Sequence, residues 1–164
     1  MKHGTYEEIG GRPALRFERR LAHPVDAVWC AVTEPDELAH WFPARVTVDL
    51  RLGGAVTFAF PDDTMPDGNG EVTELNPPRL FAFTWDDDEI RIELESAGEA
   101  TVLRFTHVLS DRDMAAKVAA GWHVCLDQLD DRLAGGEPGL PSTEPTPAWH
   151  VLHDVYRKAL PSPR

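Results

Sequence analysis

Few side chains in this 164-residue sequence have the company that chemistry requires. His107 is the leading candidate. It alternates in phase with Leu103 and Phe105, so strand parity sends it to the face of two apolar side chains. An imidazole in an apolar setting can anchor a ligand or carry a proton. It can equally be a core-edge histidine bonded to a neighbour, and the sequence names no carboxylate partner for it, so anchoring is favoured over catalysis. Cys30 and Cys125 both sit on helical patterns, without the cationic or helix-terminal setting that activates a thiol and without a recognisable triad. Two cysteines form no disulfide framework and have no zinc spacing. Asp62, Asp63 and Asp67, and the run Asp86-Asp87-Asp88-Glu89, lack the calcium-loop pattern and read as solvated turns. His40, His123, His150 and His153 supply no ligand spacing. Gly53-Gly54 lacks the Lys-Ser/Thr pair of a phosphate cradle. No metal and no cofactor is therefore expected.

The remaining chemistry is aromatic. Trp41, Phe42, Trp85 and Trp122 are candidates for lining or gating an apolar cleft, weighed against the commoner role of such rings as core filling. The formal net charge of −12 repels phosphate backbones, so nucleic acid and anionic membrane surfaces are not expected as partners. Apolar runs are far too short for a membrane-spanning helix, and Met1 to Glu8 has no apolar stretch of a secretory signal. A reducing cytoplasm is the expected location.

The elements that must position these residues follow from hydrophobic periodicity. Residues 1–13 read as a loose arm. Leu15, Phe17 and Leu21 alternate as a strand, with Arg19 as a blemish on the apolar face. Pro24 opens a short helix carrying Val25, Val28, Trp29 and Val32. Thr33-Glu34-Pro35-Asp36 resembles a capping box before a second short helix with Leu38, Trp41 and Phe42. Strands follow with Val46, Val48 and Leu50 alternating with Thr47 and Asp49, then Val56, Phe58 and Phe60 after the Gly53-Gly54 turn. Next come Gly70–Leu75, then Phe81, Phe83 and Trp85, then Ile90, Ile92 and Leu94, and finally Leu103, Phe105 and His107. Ser110-Asp111-Arg112-Asp113 opens the longest helix, whose stripe is Met114, Val118, Trp122, Cys125, Leu129 and Leu133. A linker with four prolines spans 137–147, and a short amphipathic helix with Trp149, Leu152 and Tyr156 occupies 148–160 within the tail 148–164. Strands joined by tight turns predict an antiparallel meander, and one long amphipathic helix predicts its cover.

This order resembles the helix-grip fold of the START-like (SRPBCC) superfamily, an α+β fold in which a curved antiparallel sheet of about seven strands wraps a long C-terminal helix. More narrowly, Pro24–Trp29, Glu34–Phe42, Leu52-Gly53-Gly54, Gly70-Glu71-Val72, Pro77–Trp85 and Gly121-Trp122 are similar to the family named for the activator of heat-shock protein 90 ATPase. The resemblance covers roughly Ala14 to Leu133, within a domain placed at 14–136. It implies a hydrophobic cavity between sheet and helix, and no single chemistry.

The resulting expectation is non-catalytic binding of a small, largely apolar molecule in that cavity. Its liners are expected among Phe58, Phe60, Phe81, Phe83, Trp85, Leu103, Phe105, His107, Met114, Val118 and Trp122, with Trp41 and Phe42 at its mouth. Two rivals stand beside it. One is a cyclase- or hydrolase-like enzyme using His107, which needs a second polar group converging on that ring. The other is a co-chaperone-like interaction module with a chaperone partner and a place in the stress response, which needs an exposed apolar patch. The terminal helix could supply one as a lid or as the contact of a homodimer.

Overall fold

The computed structural model describes residues 4–42, 44–59, 68–135 and 147–159. Phe60, the acidic residues Asp62, Asp63 and Asp67, and nearly all of the 137–147 linker lie outside them. Among the described residues, eight antiparallel strands form one sheet in the order β1-β2-β8-β7-β6-β5-β4-β3. The strands are β1 (Thr5–Ile9), β2 (Arg12–Leu21), β3 (Arg45–Val48), β4 (Ala55–Ala59), β5 (Gly68–Asn76), β6 (Leu80–Trp85), β7 (Asp88–Ala97) and β8 (Ala100–Val108). β3 to β8 make the expected meander. The last strand then pairs with β2, so the chain between β2 and β3 must cross to the far edge of the sheet. It does so through α1 (Val25–Thr33) and α2 (Pro35–Leu38).

Two expectations near the N-terminus change. Residues 5–9, read as part of a loose arm, form β1 instead and pair with β2 in the register Tyr6↔Leu15. Gly10 and Gly11 close that hairpin at φ of 59° and 80°, a region open to glycine. β1 is an edge strand with Tyr6 as its main apolar side chain, so it carries little periodic signal. The capping box at Thr33 does not form. The Thr33 hydroxyl donates back to the Trp29 carbonyl at 2.7 Å, and α2 begins on Pro35, whose missing N–H leaves one donor fewer to cap.

The inner face of the sheet is built from cross-strand rows. Phe17, Phe105, Ile92 and Phe81 form one, and Tyr6, Leu15, His107, Ile90, Phe83 and Val72 form the next. α3 (Ala115–Leu133) lies across them, entered through a single 3₁₀ turn at Arg112–Met114, whose start is capped by the Asp111 side chain accepting from Asp113 N–H. The stripe predicted for α3 is partly displaced. Met114 is 41% exposed and Val118 and Leu133 are half-buried, while Ala119, Ala120 and His123 are buried. α4 (Pro147–Ala159) packs on a second flank of α3, where Tyr156 meets the buried His123. Arg19, the blemish on β2, reaches Asp127 of α3 at 3.8 Å.

The outer face of the sheet is a lattice of ion pairs. Arg16 meets Glu7, Arg104 lies between Glu18 and Glu95, and Arg91 pairs with Glu74 and Glu93. Among the described residues no helix is long and apolar enough to cross a membrane, and no group of histidine, cysteine and carboxylate side chains is placed to hold a metal ion.

Candidate functional site

His107 is buried on the inner face of β8, as alternation places it, and both of its ring nitrogens are engaged. The Trp122 indole on α3 donates Nε1–H to His107 Nδ1 at 2.8 Å. An indole nitrogen is only a donor, so Nδ1 must be the acceptor and the ring's proton sits on Nε2. His107 Nε2 in turn lies 2.7 Å from Asp88 Oδ2, and Asp88 Oδ1 accepts from the backbone N–H of Ser110 at 2.9 Å. The result is a directed chain running from indole through imidazole to carboxylate. Burial acts to raise the Asp88 pKa, but the hydrogen bonds from His107 and Ser110 outweigh it and hold the carboxyl below its ordinary range.

Asp88 is the residue that the sequence reading missed. The acidic run was assigned to turn solvation as a unit. Asp86 and Asp87 do make the turn, with Asp86 in the left-handed region at φ 52°. Asp88, however, is the first residue of β7 and stands two places before Ile90, which is directly opposite His107. The same parity that turns His107 inward therefore turns Asp88 inward beside it. Extending the alternation of Ile90 and Ile92 back by one step finds it.

Around Trp122 the expected aromatic residues form one group. Phe58 and Trp85 stack almost parallel, with centroids 4.2 Å apart and planes at 6°. Phe42 stacks on both, at 6.1 and 5.5 Å. Trp122 stands edge-on to Phe42 at 5.1 Å and to Trp85 at 6.4 Å, and leans on Phe105 at 4.5 Å. Phe83 touches Phe42, Phe58 and Phe81, and Phe81 meets Trp29. At these separations the rings are in contact with one another. Trp85 is half-buried, whereas Phe42, Phe58, Phe81, Phe83, Phe105 and Trp122 are buried. Leu103 and Trp41 are fully buried, and the Trp41 indole donates to the Ala31 carbonyl at 2.8 Å, tying the segment after α2 to α1. Val118 packs at the margin, one turn before Trp122. Gly68 forms the floor under Trp85. A Cβ there would lie 2.6 Å from the indole Nε1, so the ring's position requires a glycine.

A second polar group lies on the other flank of α3. The Tyr156 hydroxyl of α4 accepts from Gly4 N–H at 2.7 Å and meets His123 Nδ1 at 2.8 Å. Burial pushes the Tyr156 phenol above its ordinary range. The cysteines are unactivated: burial drives Cys125 up to about 12, and burial followed by Glu34 raises Cys30.

An open eight-stranded antiparallel sheet laid against one long helix, with an aromatic group between them, defines a helix-grip protein of the START-like class. The chain belongs to the Activator of Hsp90 ATPase homolog 1-like protein family, whose model matches residues 22–134. No curated protein matches the chain. Among solved structures it is similar to CalU16 from Micromonospora echinospora, with 27% identity and a TM-score of 0.74 over 96% of this chain and 90% of that one. It is also similar to the protein encoded by gene BPP1335 of Bordetella parapertussis, with 28% identity and a TM-score of 0.70 over 96% and 90%. The Aha1 dimer from Colwellia psychrerythraea shares the fold, at 22% identity and a TM-score of 0.63 over 73% of this chain and 95% of that one. The class is consistent with ligand-binding or interaction modules.

Proposed function

We propose that this protein binds a small, largely apolar molecule, without covalent chemistry, at the aromatic group between the sheet and α3. The observation that carries this reading is the continuous stack of Phe42, Phe58 and Trp85 under the Trp122 edge, because half-buried Trp85 brings that stack to the surface. A planar apolar ligand entering at Trp85 would exchange ring–ring contacts for ring–ligand contacts. Each such aromatic pair contributes about 0.5–1.5 kcal/mol beyond the area it buries. The Trp122 N–H is already committed to His107, so Trp122 offers a ligand ring surface without its polar handle. His107 serves the site by holding Trp122 rather than by touching the ligand.

The rival readings gain less support. Asp88 supplies the second polar group that a catalytic His107 needs, yet each ring nitrogen already has a protein partner. A substrate would have to displace one of them. For an interaction module, the exposed large apolar side chains among the described residues are Ile9, Leu50, Leu52, Met114, Val151 and Val155. They are spread over β1, the β3–β4 hairpin, the 3₁₀ turn before α3, and α4, and the outer sheet face is charge-paired.

The test is an intact-complex mass spectrum of freshly purified protein, compared with Trp85→Ala. A small-molecule adduct on the wild type that is lost in the variant is the expected result. A dimer peak without adduct would favour association through α4 or another surface instead.

A further inference from the structure

The Trp122–His107–Asp88 chain depends on one proton. Its direction is set by the indole, which can only donate, so His107 must keep Nδ1 unprotonated to accept. An imidazolium carries N–H groups on both nitrogens. Its Nε2–H would bind Asp88 more strongly, while its Nδ1–H would point at the indole N–H, donor against donor. Trp122 has no slack to absorb that quietly, since its ring is already against Phe42, Trp85 and Phe105.

We propose that Asp88 and His107 are positioning residues that make Trp122 proton-responsive. A neutral imidazole locks the indole into the aromatic group, and protonation at Nδ1 releases it and loosens the site. The surroundings of the ring leave this proton in charge. Leu15 of β2 and Ile90 of β7 are its direct neighbours across the sheet, both apolar. Tyr6 of β1 lies one strand further on, its hydroxyl buried. α3 presents Trp122, which does not titrate. Asp88 is the charged group bonded to the ring, and it is itself held by Ser110 N–H. Arg12 reaches the same end of the sheet but is committed to the Asp87 carbonyl and to Glu89. Arg112, beyond Ser110, pairs with Glu8.

The consequence for binding rests on the ligand site proposed above; the response of the indole does not. Two readouts keep them apart. The first is the Trp122 indole N–H resonance, followed by NMR from about pH 8 to about pH 5, the interval in which histidine side chains change charge. It should move with the same midpoint as the carbon-bound ring protons of His107. Asp88→Asn should change the pH response of the indole resonance, because it removes the carboxylate bonded to Nε2. The pH dependence should vanish in His107→Phe and in His107→Gln, the latter keeping an acceptor for the indole. The second readout is affinity for the neutral fluorophore N-phenyl-1-naphthylamine, which should weaken about two- to tenfold across that midpoint, the effect of one lost hydrogen bond. An indole resonance that stays fixed while His107 titrates, or down to the onset of acid unfolding, overturns the proposal even if the fluorophore binds. A titrating indole in a protein that never binds the fluorophore supports the proton response and overturns the ligand site.

Discussion

At the scale of single residues, the structure turns on side chains whose polar atoms are all spoken for. Asp88 holds the end of β7, the ring of His107 and the start of the segment after β8 through two oxygens. Its lowered pKa means that the folded chain binds the proton more weakly than the unfolded chain does. The associated stability is complete above the ordinary carboxylate pKa and is lost as pH falls through the lowered value. Asp88→Asn should therefore cost about 1 kcal/mol at neutral pH, discounted for its partial exposure, with the gap to wild type closing in acid. Urea unfolding at a series of pH values measures this. Gly68→Ala acts on the other side of the site. The added methyl meets the Trp85 indole, and the overpacking should cost about 1–3 kcal/mol and change the tryptophan emission spectrum. An unaltered spectrum would mean that Trp85 does not rest on Gly68 in solution. His107 and the rings were legible from alternation because β-strands impose a period of two. Asp88 was passed over because an acidic run beside a turn reads as solvent-facing until its last member is counted into the next strand.

At the scale of elements, α4 is joined to the domain by Tyr156. That side chain is 1% exposed, packs edge-on against Phe17, and links Gly4 before β1 to His123 of α3. One residue thus ties the first strand, the long helix and the last helix together. Tyr156→Phe keeps the ring and removes the hydroxyl that the part-buried Gly4 N–H and the buried His123 imidazole both bond. That should cost about 1–3 kcal/mol, a fall in Tm of a few degrees to about 10 °C for a chain of this size. The pH dependence has a sign. Because the phenol's folded pKa is raised above its usual value of 10.0, its contribution is complete below that value and is lost as pH rises through the higher one. The difference between wild type and Tyr156→Phe should shrink in strong alkali. Truncation after Pro145 should lower Tm further, since Trp149 and Leu152 also pack against the core. The terminal helix itself was legible from its apolar spacing, expected over 148–160 and described over Pro147–Ala159. Its partner surface was not, because the stripe on α3 gives one helix face and says nothing of a second neighbour. Gly54 shows the same limit. The Gly53-Gly54 pair reads as a turn, yet only Gly53 carries a positive φ, 79°, and Gly54 is required because a Cβ would lie 1.9 Å from the Asp49 carbonyl oxygen.

At the scale of the whole molecule, a charged outer sheet face and an aromatic inner face divide the labour. The exposed ion pairs each contribute little, while a net charge of −12 works against compactness. Raising sodium chloride from about 0.02 M to about 0.3 M should therefore raise Tm, because it screens the net repulsion more than it weakens the pairs. The class of fold was legible because the order of strands, turns and one long stripe survives without any knowledge of contacts. The crossing of α1 and α2 to the far sheet edge and the added strand β1 are tertiary facts that no local period encodes. The central proposal is that the stack under α3 receives a small apolar molecule. Its most direct test is NMR mapping of the titration of N-phenyl-1-naphthylamine into the intact chain at about pH 8. Binding there should give saturable shifts centred on the indole N–H groups of Trp85 and Trp122 and on the backbone amides of Phe42, Phe58 and Gly68. Saturable shifts confined to the outer residues of α4, Val151 and Val155, or no saturable shifts at all, would contradict it.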